Sequence, residues 1–298
     1  MKKILALVLA ALLLVSMVAC APKSAEEEAV DAVAEAVKEE IKEEKAVEEA
    51  VQGAVEDAVN ASDLAYVAEK GTLVVGITDF APMDYQDESG KWIGFDADAA
   101  EAFAASLGVE AEFVEIDWDN KILELDGKTI DCVWNGMTLT DEVTTAMDCS
   151  VPYCNNYQVV VVPAANAEKF ATVEDMKDLV FAVEAGSAGE AEANKLGVNV
   201  TPVKDQATAL MEVAAGSCDA AVIDALMAGA MVGEGTGYED LTYTIGLNEE
   251  EGEQYGVGFR KGSDLPALLD SFFGTAYADG SLQTIAETYG IQAALIAQ

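Results

Sequence analysis

The sequence predicts an α/β fold built as two similar lobes. Three observations predict it. Period-2 apolar runs alternate with helical ones from about Ser62 onward, the alternation begins again at residue 157, and 298 residues with 51% hydrophobic side chains suffice for two modest cores.

In the first block, "TLVVGI" (72–77) reads as a strand, "DADAAEAFAASLG" (96–108) as a helix and "EAEFVEI" (110–116) as a strand. "DNKILELDG" (119–127) follows as a helix and "TIDCVW" (129–134) as a strand. The second block repeats the scheme: strands at "YQVVVV" (157–162), "LVFAVE" (179–184), "VNVTPV" (198–203) and "CDAAVI" (218–223), with helices at "GEAEANKL", "QATALMEVAAG" and "DALMAGAMV" between or after them. "QYGVGFRK" (254–261) is a further strand, and "LPALLDSFFGTAYADG" and "SLQTIAETYG" are helices. Such alternation favours largely parallel sheets, whose strand ends build ligand sites.

The segment before Ser62 is of another kind. "MKKILALVLAALLLVSMVAC" has two lysines, an apolar stretch and small residues before Cys20, which is signal-peptide architecture and too short for a mature membrane span. "MVAC" resembles a bacterial lipoprotein processing box with Cys20 as the lipidated residue; an ordinary signal peptide with an incidental cysteine is the alternative. From Ala25 to about Asn60, Val30, Val33, Val37, Ile41, Val47, Val51 and Val55 fall mostly three or four apart among Glu and Lys. That is an amphipathic helical period with an acidic outer face, expected as a solvated tether rather than a coiled coil, given its narrow Val and Ala contacts and Gly53.

A net charge of −39 and 16 basic residues argue against nucleic acid, whose phosphates are bound through several Lys and Arg contacts. No histidine is present and no C-x-x-C, so no transition-metal site is expected, and no cofactor. Cys132, Cys149, Cys154 and Cys218 show no small-scaffold spacing; free buried thiols are favoured over disulfides.

Six stretches in order carry a family resemblance: "GTLVVGITDFAPMDY", "GKWIGFDADAAEAFAASLGVEAEFVEIDWD", "IDCVWNGMTLTDE", "SVPYCNNYQVVVV", "CDAAVIDA" and "GVGFRKGSD". From about Gly71 to Gly290 the chain resembles the solute-binding proteins of amino-acid ABC importers, the polar amino-acid type (family 3), in lipoprotein form. The resemblance implies a type II periplasmic-binding-protein-like fold with two hinge strands, crossing near 156–160 and 252–257. It divides the chain into a signal peptide (1–20), an acidic linker (21–61), lobe 1 (62–158 and 254–298) and lobe 2 (159–253). It implies a monomeric, non-enzymatic protein outside the cytoplasm, held to the membrane by lipid, that passes a small amine-bearing solute to an ABC permease. A dehydratase on the same fold and a sensing module are the alternatives.

The resemblance also implies a site. Asp224 would meet the ligand's amino group, although an acid between strand and helix equally reads as an N-cap. Asp79 would contact cationic ligands. Phe80 and Trp118 would wall the cleft, with Trp134 divided between cleft and core. Asn135, Gly136 and Thr138 would hold the ligand carboxylate from one lobe, and Gly186 and Ser187, at a helix start, from the other. One departure stands out. The family's arginine, in a pattern close to T-x-T-x-x-R, is Val143 here, and the sole arginine, Arg260, lies in a stretch matching a strand near the hinge. The expectation is a carboxylate held by backbone and hydroxyl groups alone, or a ligand with no carboxylate there.

Overall fold

The computed structural model describes residues 62–298 except Glu251, together with scattered residues between 35 and 53. The chain divides into two units, 1–62 and 63–298. In the first, the described residues between 35 and 53 are helical. Val47 and Val51, on the expected apolar stripe, are 62% and 58% exposed. The segment expected as a signal peptide, with Cys20, lies outside the described residues. Among the described residues no helix is long and apolar enough to cross a membrane.

The second unit opens with helix α1 (Asp63–Lys70) and strand β1 (Thr72–Ile77). β1 shows the period-2 logic on two buried faces: Leu73, Val75 and Ile77 enter one apolar cluster, Val74 another on the opposite side. It pairs in parallel with β4 (Glu110–Glu115) and with β5 (Cys132–Val133). β14 (Gly258–Phe259) returns antiparallel to β5 and to β6 (Asp148–Cys149), giving the order β4-β1-β5-β14-β6. Helix α2 (Phe95–Ser106) and the last two helices, α8 (Leu265–Asp279) and α9 (Ser281–Thr288), cover one face. There Phe103, Trp134, Tyr153 and Phe273 pack with ring centroids 5.5 to 6.4 Å apart.

The second sheet has the order β10-β9-β11-β8-β12. β9 (Val180–Glu184) is parallel to β10 (Asn199–Val203) and to β11 (Ala220–Asp224), while β8 (Gln158–Pro163) runs antiparallel to β11 and to β12 (Leu241–Leu247). Again the faces alternate, Val159 and Val161 on one side, Val160 and Val162 on the other. Each sheet therefore has a parallel core closed by antiparallel strands, less uniformly parallel than the alternation predicts. The two sheets are joined through a separate antiparallel pair, β7 (Cys154–Asn156) with β13 (Glu253–Tyr255), where the chain crosses twice. "QYGVGFRK" is thus not one strand. It breaks at Gly256, because its first part belongs to the crossing pair and its second to the first sheet. β12 was not expected; it pairs along β8 with an irregularity between Tyr243 and Ile245.

The described cysteines, Cys132, Cys149, Cys154 and Cys218, are free thiols. Burial pushes the pKa of each upward, to about 11 for Cys149, which disfavours the nucleophilic thiolate.

Candidate functional site

The C-terminal ends of strands from both sheets meet at a cavity of about 220 Å³. This is below the roughly 300–1,000 Å³ of pockets that enclose drug-sized ligands, and suits a small solute. From lobe 1 come Trp118, Lys121, Asn135, Gly136, Thr138 and Val143; from lobe 2 come Glu184, Gly186, Ser187 and Asp224. Seven of the nine expected ligand-binding residues line this cavity or its wall, and two do not. Asp79 is exposed and faces a wider cavity of about 690 Å³ with Tyr85, Glu115 and Lys204. Phe80 is 1% exposed and lies behind the wall, its ring set edgewise to Tyr255 at 6.3 Å. Trp134 is core.

The loop after β5 is fixed by its own polar atoms. Asn135 accepts from the Thr78 N–H at 2.9 Å and donates to the Thr78 hydroxyl at 2.8 Å, tying the ends of β1 and β5 together. Gly136 adopts φ 54°, and a Cβ there would stand 2.3 Å from the Phe80 ring. Its N–H donates to the buried Asp96 carboxylate at 2.6 Å, so that group is taken. The Thr138 hydroxyl donates to Glu253 on the crossing strand at 3.2 Å. Thr140 caps helix α4 (Asp141–Ala146), accepting from the Val143 N–H. Val143 itself is 4% exposed among Met137, Met147 and Trp118.

On the facing lobe, Ser187 caps helix α5 (Ala188–Leu196) through the Glu190 N–H, and the Glu190 carboxylate returns to the Gly186 N–H at 2.8 Å. Asp224 does not cap the helix that follows it. Its Oδ1 accepts from Asn156, from Gln158 at 3.0 Å and from the Tyr255 hydroxyl at 2.7 Å, and its Oδ2 accepts from Gln206. Burial, then repulsion from Glu253, pushes its pKa up to about 7, against the pull of these donors. The carboxylate is therefore a hub of the hinge, where Asn156, Gln158 and Tyr255 all sit.

Two site residues were not expected. Lys121 opens helix α3 (Lys121–Asp126) directly after the turn at Trp118–Asn120, and only 6% of it is exposed. Its ammonium lies 5.0 Å from the centre of the Trp118 ring and donates to the Trp118 carbonyl at 3.2 Å and, across the cleft, to the Gly186 carbonyl at 3.0 Å. Burial lowers its pKa, offset by Glu142, Glu184, Asp119 and Glu190. Glu184, at the end of β9, is 2% exposed, and its Oε1 has no hydrogen-bond partner. Burial first, then Asp224, pushes its pKa up to about 8, while the Thr78 hydroxyl and Lys121 draw it down. A lysine in "DNKILELDG" reads as a solvated helix face, and a glutamate closing "LVFAVE" as a strand end meeting water. Neither pattern marks a site.

The lobes are closed on one another. Besides Lys121 to Gly186, Lys204 pairs with Glu115 at 2.9 Å, and a Cβ on Gly186 would stand 2.9 Å from the Asp119 Cα. Arg260 is far from all this. It is buried, grips both Asp63 oxygens and donates to the Ile130 carbonyl at 2.7 Å. Among the described residues no cluster suited to a metal is present.

The chain is 31% identical to the L-cystine-binding protein TcyJ of Escherichia coli (strain K12) over 229 residues, 75% of this chain and 84% of that one. It is 27% identical over 172 residues to a cyclohexadienyl dehydratase of Pseudomonas aeruginosa, covering 56% of this chain and 64% of that one. An ABC uptake transporter substrate binding protein from Streptococcus pneumoniae, solved with bound histidine, superposes with a TM-score of 0.69 at 28% identity, over 78% of this chain and 98% of that one. A two-lobed fold around an enclosed cleft, these likenesses and a family profile matching residues 73–292 lead to one conclusion: the chain belongs to the bacterial extracellular solute-binding proteins, family 3.

Proposed function

We infer that the protein captures one small solute with an ammonium group, an amino acid or a near relative, and presents it to an ABC permease. The observation behind this reading is the cavity itself. It lies between two lobes linked through the paired crossing strands β7 and β13, and its wall holds Asp141, Glu142, Glu184 and Asp224 against a single lysine. Asp141 and Glu142 on the rim, with Glu184 and Asp224 inside able to ionise beside a cation, favour positive charge in the ligand. The names of the relatives, which bind cystine and histidine, support an amino acid. Contacts from both lobes favour the closed form when the solute is present, and opening about β7 and β13 releases it. The seven cavity residues named from the sequence contribute shape and polarity, and Asp79 guards the outer cleft. Lipid at Cys20, with residues 21–61 as tether, would keep the protein beside its permease as a monomer.

Thermal melting against amino acids, amines and short peptides tests this. A solute at a hundred times its dissociation constant adds about 2.7 kcal/mol of stability. Failure of every amine-bearing solute to raise the melting temperature overturns the reading.

One observation favours a second reading, a dehydratase. Two cleft carboxyls, Glu184 and Asp224, hold their protons near neutral pH, as a general acid must. A prephenate-like diacid needs cationic partners, however, and the cavity offers Lys121 alone. Turnover of prephenate by the purified protein would establish it.

A further inference from the structure

Buried polar atoms are almost always hydrogen-bonded, and each exception calls for a reason. The Glu184 Oε1 is such an exception, in the cavity wall. Asp224, in contrast, spends its oxygens on four protein donors. On the other side of the cleft, Lys121 meets two neutral carbonyls, and an ammonium has a third proton to give. It forms no ion pair with a described residue, in a chain where acids outnumber bases 55 to 16. A buried cation and a buried acid with spare hydrogen-bonding capacity thus face one small cavity, each from a different lobe.

We propose that Lys121 receives the ligand's carboxylate and Glu184 its ammonium, so that an α-amino acid zwitterion bridges the lobes. This rests on the reading of the cavity as a solute site and deepens it. Lys121 then replaces, from a different element, the guanidinium that Val143 removes. The family's loop groups are not needed for the anion: Gly136 N–H already serves Asp96 and the Thr138 hydroxyl Glu253. Glu184 takes the role expected of Asp224, which holds the hinge instead. Closure is coupled to recognition because neither lobe alone offers both charges. Each ionic contact of this kind is worth roughly 1.5–3 kcal/mol, or about tenfold to a hundredfold in affinity.

The test is calorimetry on the full chain. The probes are the standard L-amino acids with L-cystine and L-ornithine, then the methyl ester and the N-acetyl derivative of whichever binds. Lys121→Met should weaken the amino acid at least tenfold and leave the methyl ester as in wild type. Glu184→Gln should weaken the amino acid at least tenfold and leave the N-acetyl derivative as in wild type. Lys121→Gln, neutral and of similar reach, repeats the first arm, and thermal melting establishes that each variant is folded. Undiminished binding of the amino acid by Lys121→Met and Glu184→Gln overturns the assignment while the solute site stands. So does the Glu184 pattern appearing in Asp224→Asn instead. If wild type binds none of the probes, the amino-acid reading of the cavity falls, and this assignment with it.

Discussion

The Lys121 ammonium donates to the Gly186 carbonyl at 3.0 Å, and the two residues belong to opposite lobes. The same glycine, at φ 72°, packs against Asp119 so closely that no Cβ fits. Closure of the cleft therefore depends on Gly186 twice, through its conformation and through its missing side chain.

Gly186→Ala should consequently fold but close poorly. A non-glycine residue at positive φ costs about 1–3 kcal/mol, and the methyl group would press on Asp119 only when the lobes meet. Affinity for the solute should fall at least about tenfold in calorimetry, with a small change in the melting temperature of the free protein. Unchanged affinity would mean that the contact does not govern closure.

Asp224→Asn should weaken the fold itself. An amide in place of the carboxylate turns its NH2 group either toward the donors of Asn156, Gln158 and Tyr255 or toward that of Gln206. Leaving such buried groups unmatched costs about 1–3 kcal/mol. Urea unfolding should show that loss; stability equal to wild type would contradict the hub role.

Stability should fall as pH rises. Burial holds the pKa of Asp96 and Asp224 at about 7 and that of Glu184 at about 8. Between the unfolded values near 4 and these folded ones, the native protein binds more protons than the unfolded chain. That contribution is full below about pH 4 and is lost through pH 7 to 8, by at most about 1.4 kcal/mol per pH unit for each group. The melting temperature of the free protein should decline from pH 5 to pH 8.5. A rise over that range would contradict it.

Much of the fold was legible because its strands announce themselves. "TLVVGI" is β1 to the residue, since β-branched side chains on two buried faces leave little else to form. β12 was hidden because "LTYTIGL" alternates weakly, with Thr and Gly, and its place is decided by pairing along β8. The site was legible as a location and less so as chemistry. Loops after β5 and β9 could be placed through the family resemblance, but which of their groups are already engaged depends on Asp96, Glu190 and Glu253. Lys121 and Glu184 gain their character from burial, which no local pattern encodes.

Arg260→Met should destabilise lobe 1 by about 3–5 kcal/mol, because it strands Asp63 and shifts more of the burden at Asp131 to Lys70. Binding by the folded fraction should be as in wild type. Urea denaturation beside calorimetry separates these effects, and lost affinity in a folded variant would place Arg260 in the site after all.

Cys20→Ala should abolish incorporation of labelled palmitate in growing cells, which wild type should show. Label retained in the variant would remove the anchor from the account.

The most direct measurement is calorimetry of the wild-type protein with L-amino acids near pH 7.5, in two buffers of different ionisation enthalpy. One site per chain and release of up to about one proton are expected, because an ammonium beside Glu184 draws its pKa down from about 8. Absence of binding by every amino acid, or binding with proton uptake, would contradict this expectation.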